Sequence, residues 1–239
     1  MTNKAALLLE NRKIQIGDSE MPKMKPGYVK VKVEYCGVCG SDVHFYSWGE
    51  PEFPDVYPFI LGHEFAGTVV EVDEQVKDLK VGDRVSVEPG TFCGKCEWCK
   101  KGKYNLCKNM EFLSAPRTLG AMREYITHPA ELCFKLPENV STLEGALVEP
   151  LAVGMNAVLR SGIHVGDSAV VLGTGCIGLV TILSLKAAGI TDITAVDLFD
   201  IRLEKALELG ADRVINTTDK NAVEEILKYY DGIGPDFVF

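Results

Sequence analysis

Apolar and polar side chains alternate along Val29-Lys30-Val31-Lys32-Val33-Glu34-Tyr35, the period of a half-buried strand. Thr68-Val69-Val70-Glu71-Val72 is β-branched and strand-like, and Val81-Gly82-Asp83-Arg84-Val85-Ser86-Val87 reads as a glycine turn feeding another strand. Pro22, Pro26, Pro51, Pro54, Pro58, Pro89 and Pro116 cut this half into short pieces joined by loops, which predicts an irregular, β-barrel-type domain. The texture changes at Ser141-Thr142-Leu143-Glu144, a capping-box pattern for a helix start. Apolar residues then recur at helical spacing to about Leu159.

Beyond Gly166 strand and helix patterns take turns: Ala169–Leu172, Ile177–Ala188, Ile193–Val196, Ile201–Leu209, Val214-Ile215, Val223–Tyr230 and Phe237–Phe239. Such a rhythm predicts a parallel sheet covered by helices. The class expected is therefore α/β with a β-rich N-terminal domain over 1–150 and a doubly wound domain over 151–239. A doubly wound dinucleotide domain commonly has six strands, and this chain stops within what reads as the fourth. The second domain is thus expected to be truncated at its C-terminus, and residues 1–239 alone are expected to be catalytically incompetent.

Composition narrows the classes. The 239 residues are 46% apolar and 25% charged, as in a globular domain. No apolar run approaches the ~20 residues of a membrane helix, and the apolar stretch near the N-terminus is too short for a signal peptide; no membrane partner and a cytoplasmic location are expected. A net charge of −9 and a pI near 5.0 disfavour a nucleic-acid partner. Eight cysteines without an export signal point to metal or thiol chemistry rather than disulfides.

Four of them, Cys93, Cys96, Cys99 and Cys107, form C-x2-C-x2-C-x7-C. Thiolates this close wrap one tetrahedral ion, and four sulfurs leave no open position, so a structural zinc is expected; an iron–sulfur cluster is the rival. Lys95, Lys100, Lys101, Lys103 and Lys108 are expected to offset the anionic site. Cys39, His63 and Glu64 offer three ligands and leave a fourth position open, the donor set of a catalytic zinc, although a His-Glu pair beside a turn glycine also occurs as plain structure.

Gly173-Thr174-Gly175-Cys176-Ile177-Gly178 is G-x-G-x-x-G placed between a strand and a helix, the context in which the pattern binds a dinucleotide pyrophosphate at the helix N-terminus. Asp197, 19 residues past Gly178, is positioned to accept from the adenosine ribose hydroxyls and to repel a 2′-phosphate. NAD is expected over NADP, with Arg202 as a nearby cation able to accommodate a phosphate. Cys36, Cys133 and Cys176 read as small apolar fillers, and His128 and His164 as surface or core residues.

The chain closely resembles the zinc-dependent medium-chain dehydrogenases, and within them the sorbitol and xylitol dehydrogenases. The matching stretches are Cys36-Gly37-Val38-Cys39-Gly40-Ser41-Asp42-Val43-His44, Leu61-Gly62-His63-Glu64 and Gly82-Asp83-Arg84-Val85. Tyr104–Cys107, Lys135–Val140 and Glu144–Pro150 match as well. The resemblance implies a GroES-like zinc-binding catalytic domain followed by a Rossmann NAD-binding domain, two zinc ions per chain, and hydride transfer from a secondary alcohol of a polyol to NAD. Cys39, His63 and Glu64 would hold the catalytic zinc, Glu149 its water, and Asp42 would orient the histidine.

Ser41 and His44 would pass the alcohol proton outward, and Gly173, Gly175, Ile177, Gly178, Asp197 and Arg202 would meet the cofactor. Phe112 and Glu149 would border the substrate. Phe45 stands where sorbitol dehydrogenases often carry a tyrosine that touches the polyol. A homo-oligomer, dimer or tetramer, is implied. Rival readings are 2,3-butanediol, threonine and sugar-alcohol-phosphate dehydrogenases, or a non-catalytic zinc- and dinucleotide-binding fragment.

Overall fold

The computed structural model describes residues 2–48, 56–115 and 118–239; Pro51, Pro54 and Pro116 lie outside them. The chain divides into two compact units, Met1–Glu149 and Pro150–Phe239, described here separately.

In the first unit, β1 (Asn3–Glu10) and β2 (Lys13–Ser19) form an antiparallel hairpin that the sequence reading does not contain. The apolar run of β1 does not alternate, and β2 is an exposed edge strand. β3 (Tyr28–Cys36) runs into α1 (Gly40–Trp48), followed by β4 (Phe59–Ile60), β5 (Phe65–Val72), β6 (Arg84–Val87) and β7 (Gly90–Thr91). Next come α2 (Glu97–Lys100), β8 (Glu111–Phe112), β9 (Tyr125–Pro129), β10 (Cys133–Lys135) and α3 (Thr142–Ala146). One sheet has the order β10-β6-β5-β3-β9, a second β2-β1-β4, and β7 pairs with β8.

The alternation seen in β3 is real burial. Val29 and Val31 are fully enclosed and pack with Phe65, Val69, Val85 and Ile126. β3 and β5 pair antiparallel with two register shifts, between Lys30 and Val31 and between Val33 and Tyr35; such bulges bend a sheet towards barrel closure. α3 starts as its capping box predicts. The Ser141 hydroxyl accepts from Glu144 N–H, and the Glu144 carboxylate accepts from Ser141 N–H at 2.7 Å.

α4 (Val148–Ser161) leads into the second unit and carries Pro150 in its first turn, where the missing N–H has no helical partner to lose. The second unit alternates β11 (Ser168–Leu172), α5 (Cys176–Ala187), β12 (Asp192–Asp197), α6 (Asp200–Glu208), β13 (Arg213–Asn216), α7 (Ala222–Tyr229) and β14 (Phe237–Val238). All strand pairs are parallel in the order β13-β12-β11-β14, the 3-2-1-4 order of a doubly wound dinucleotide fold. Ala169, Ile182, Leu185, Ile193 and Ala195 form its core. The observed class is the expected one, α/β with a β-rich first unit.

Candidate metal and dinucleotide sites

β3 ends at Cys36, and the chain turns through Gly37 and Val38 to place Cys39 just before α1. The segment between β4 and β5 carries Gly62-His63-Glu64 alongside. Gly37 N–H donates to Glu64 O at 2.6 Å, which joins the two ligand segments directly. Ligand atoms of Cys39, His63 and Glu64 all lie within 4.8 Å of one another, with His63 and Glu64 buried.

Two glycines make this approach possible. A Cβ on Gly37 would strike Glu64 Oε2 at 2.3 Å. Gly62 has φ +93° and would meet Cys36 Sγ at 2.6 Å, so both its backbone and its neighbours exclude a side chain. Gly37 was not singled out in the sequence; its signal was only its place inside Cys36-Gly37-Val38-Cys39.

The donors suit a metal ion. His63 Nδ1 is buried and has no hydrogen-bond partner among the described residues, a costly state for a polar atom unless a ligand meets the ring. A thiol, an imidazole and a carboxylate converging on one point are a zinc donor set. Cys36, three residues from Cys39, is excluded from it. Its sulfur lies outside the cluster of donor atoms and packs against Gly62, and burial first, then the charges of Asp42 and Glu64, push its thiol up to about 12.

Asp42 takes a different role from the one expected. Its carboxylate accepts from Cys39 N–H at 2.9 Å, from Gly62 N–H at 3.0 Å and from the Ser114 hydroxyl at 3.0 Å. It therefore orients the backbone that carries the ligands rather than the His63 ring. Ser114, which sequence reasoning missed, has φ +63° and follows Phe112, whose ring lies 5.3 Å from that of His63.

Glu149 is half-buried. Burial raises its carboxyl above the usual range, His63 pulls it back and Glu64 pushes it up again; it faces the ligand set without being one of the clustered atoms. Ser41 and His44 sit three apart on exposed positions of α1. His44 lies against Trp48 at 5.4 Å. Phe45 packs edge-on to Phe59 at 6.0 Å, in a cluster with Leu8 and Leu61.

Cys93, Cys96, Cys99 and Cys107 converge within the same 4.8 Å limit around α2. Cys96 Sγ lies 3.5 Å from Cys99 Sγ and 4.0 Å from Cys107 Sγ. Two of the five nearby lysines are engaged elsewhere. Lys108 pairs with Glu97 at 3.1 Å, and Lys101 lies over the Trp98 ring.

Backbone amides turn towards the sulfurs, since Cys107 Sγ accepts from Cys93 and Asn109 N–H, each at 3.4 Å. The N–H groups of Lys95 and Cys96 lower the Cys93 thiol to about 6, whereas desolvation and the sulfurs of Cys96 and Cys107 raise that of Cys99 to about 12. Four such sulfurs ionise together only around a cation. A cleft of about 1150 Å³ lined by Tyr28, Phe92, Lys95 and Glu111 lies against this lobe, not against Cys39, His63 and Glu64.

In the second unit the glycine motif joins β11 to α5. Gly173 has φ +90°; Gly175 has open space where a Cβ would stand; a Cβ on Gly178 would strike Gly173 O at 1.9 Å. Turn, open approach and close packing are the three uses a phosphate-binding loop makes of its glycines. Cys176 and Ile177 are exposed at the helix start, so Cys176 is not the apolar filler expected. Asp197 is buried at the end of β12 and Arg202 Nη1 stands 3.8 Å from it.

Two family models match, the alcohol dehydrogenase GroES-like domain over residues 25–138 and the zinc-binding dehydrogenase domain over residues 176–239. A zinc-type alcohol dehydrogenase-like protein of Escherichia coli, YdjJ, is 43% identical over all of this chain and 70% of its own length. The sorbitol dehydrogenase of Arabidopsis thaliana is 42% identical over 95% of this chain and 64% of its own. Among solved structures, 2R,3R-butanediol dehydrogenase from Bacillus subtilis has a TM-score of 0.87 and 44% identity, covering 99% of this chain and 70% of that one.

An alcohol dehydrogenase (rspB) from E. coli CFT073 complexed with NADH has a TM-score of 0.89 and 34% identity, covering 99% and 68%. The chain spans 61% to 70% of the length of the curated relatives it matches. With two metal donor sets, the glycine motif and relatives of this identity, the chain belongs to the zinc-dependent medium-chain alcohol dehydrogenase family.

Proposed function

We propose that this protein is an NAD-dependent zinc dehydrogenase that oxidises a secondary alcohol of a polyol of the sorbitol or xylitol class to a ketose. The observation that carries the reading is the convergence of Cys39, His63 and Glu64 with half-buried Glu149 beside them. The likeness to sorbitol dehydrogenases supports the substrate class. Residues 1–150 are read as the catalytic domain and 151–239 as the NAD-binding domain of a cytoplasmic homo-oligomer, dimer or tetramer.

Cys39, His63 and Glu64 would hold the catalytic zinc, and the four clustered cysteines a structural one. When bound, zinc supplies a Lewis acid that lowers the pKa of an alcohol oxygen, and NAD supplies the hydride acceptor. One thiolate, one carboxylate and a neutral imidazole balance the charge of a divalent ion, so Glu149 serves better as an acceptor for a water or substrate hydroxyl than as a fourth anionic ligand. Ser41 and His44 lie on one face of α1 and give a proton a path from the ligand set towards solvent. Phe112, against the His63 ring, borders the substrate. Gly173, Gly175, Ile177 and Gly178 would cradle the pyrophosphate at the start of α5, with Asp197 and Arg202 at the ribose.

One observation favours a smaller, less polar diol as a second reading. Phe45 is packed among Leu8, Phe59 and Leu61 and offers no hydroxyl to a polyol, and the butanediol dehydrogenase is 44% identical to this chain over the part they share. A steady-state assay of the whole protein with NAD and sorbitol, xylitol and 2,3-butanediol decides between them. Turnover of a pentitol or hexitol with kcat/KM above that for butanediol is expected. Cys39→Ser should abolish it while one zinc per chain is retained. Butanediol as the better substrate would transfer the assignment to the second reading, and no turnover by zinc-loaded, NAD-binding protein would remove both.

A further inference from the structure

The carboxylate of Asp197 is met on every side from within the chain. Oδ1 accepts from Leu198 N–H at 2.7 Å and Phe199 N–H at 3.1 Å. Oδ2 accepts from Thr174 N–H at 2.7 Å and from the Thr174 hydroxyl at 3.0 Å. A carboxylate offers about four lone-pair directions, so these four donors fix how the group is turned. Three of these donors are backbone amides, available whatever the sequence. The fourth is a side chain at the first variable position of the glycine motif. Thr174 is 0% exposed and Asp197 7%, so no solvent competes for the bond, and it ties the turn after β11 to the end of β12.

Arg202 is the alternative partner. Its Nη1 lies 3.8 Å from Oδ2, beyond hydrogen-bond reach, and its guanidinium stacks on the exposed Phe199 ring at 4.9 Å. A carboxylate that lost the Thr174 hydroxyl would keep the three amides but would gain by leaning Oδ2 towards that guanidinium in a charge-assisted pair. The pair would be close to neutral and would tolerate a 2′-phosphate. Held by Thr174, the carboxylate keeps its charge facing the ribose, and Arg202 stays at its edge.

We infer that Thr174 is a positioning residue that sets the dinucleotide preference, because its buried hydroxyl holds the Asp197 carboxylate away from Arg202. The inference rests on the reading that this protein binds NAD. Its reach differs from that of the glycines, which shape the loop for any pyrophosphate and cannot tell NAD from NADP.

Equilibrium dissociation constants for NAD and NADP, measured by calorimetry, test it without depending on turnover. Thr174→Val keeps the shape and removes the donor, and should narrow the NAD-to-NADP ratio about five- to tenfold, the scale of one ordinary hydrogen bond, since three amides still hold the carboxylate. Thr174→Ser keeps the donor and should hold the ratio of the parent. In an Asp197→Ala background Thr174→Val should change the ratio no further, since the effect acts through that carboxylate. Thr174→Ala serves if the valine variant does not fold. An unchanged ratio in the donor-less variants, or a narrowing that persists without Asp197, overturns the inference. Parent protein that binds neither dinucleotide overturns the NAD reading itself and this inference with it.

Discussion

Ser114 donates its hydroxyl to Asp42 at 3.0 Å across 72 residues of sequence, and both side chains are all but enclosed, at 3% and 2% exposure. Asp42 passes that constraint on to Cys39 and Gly62 through their N–H groups. One buried carboxylate thus fixes three segments, two with metal donors and one with Phe112. Asp42→Asn leaves the shape but turns an amide NH2 towards one of these donors. Metal affinity at Cys39, His63 and Glu64 should fall roughly 10–100-fold, read by competition with a chromogenic chelator. Ser114→Gly, which suits the left-handed backbone and removes the hydroxymethyl donor, should give a smaller loss in the same direction. Unaltered affinity in Asp42→Asn would mean that the ligand segments hold themselves.

The cysteine lobe around α2 has little core of its own, since of its four cysteines only Cys107 is buried. Its order therefore depends on the ion. Cys96→Ser should leave one zinc per chain by elemental analysis and lower the thermal midpoint, with amide exchange rising first over residues 93–107. Two zincs per chain in the variant would show that a serine-compatible, three-sulfur site suffices.

His128 is 2% exposed, and its Nε2 meets Glu88 O at 2.8 Å. Burial lowers its pKa to about 4, against the pull of that carbonyl. Between that value and the ordinary ~6.5 the unfolded chain binds the proton and the folded one does not, so stability must fall as pH drops through this window. The loss should approach about 2 kcal/mol by pH 5, measured by urea unfolding. His128→Gln can still donate to Glu88 O and should show a shallower slope between pH 7 and pH 5. Parallel slopes for the two proteins would place the acid sensitivity elsewhere.

Much of the site was legible because its signals are local. Four cysteines within fifteen positions, Gly62-His63-Glu64 beside a strand, and a glycine motif between strand and helix are patterns of spacing. Short chain segments have few ways to satisfy them. The same holds for β3, whose alternation puts Val29 and Val31 in the core, and for the capping box at Ser141.

The hairpin of β1 and β2 was not legible, because its pairing depends on register with β4 and on contacts near Tyr125 rather than on its own pattern. Nor was the balance of charge at the four-cysteine cluster. Two of the lysines near in sequence turned to Glu97 and Trp98, while amides whose direction depends on the folded loop faced the sulfurs.

The residue types at the two donor sets, the alternation of the second unit and the identity of the acid that ends β12 were determined by the sequence alone, since each is written in neighbours along the chain. The close approach of the Cys39 segment to His63 and Glu64 was decided by tertiary structure, because it needs Gly37 and Gly62 where a Cβ would strike Glu64 or Cys36. So were the partners of Asp42 and Asp197. A buried carboxylate takes whatever N–H and O–H groups the packed backbone brings within reach, and those came from Gly62 and Ser114 in one case and from Thr174 in the other.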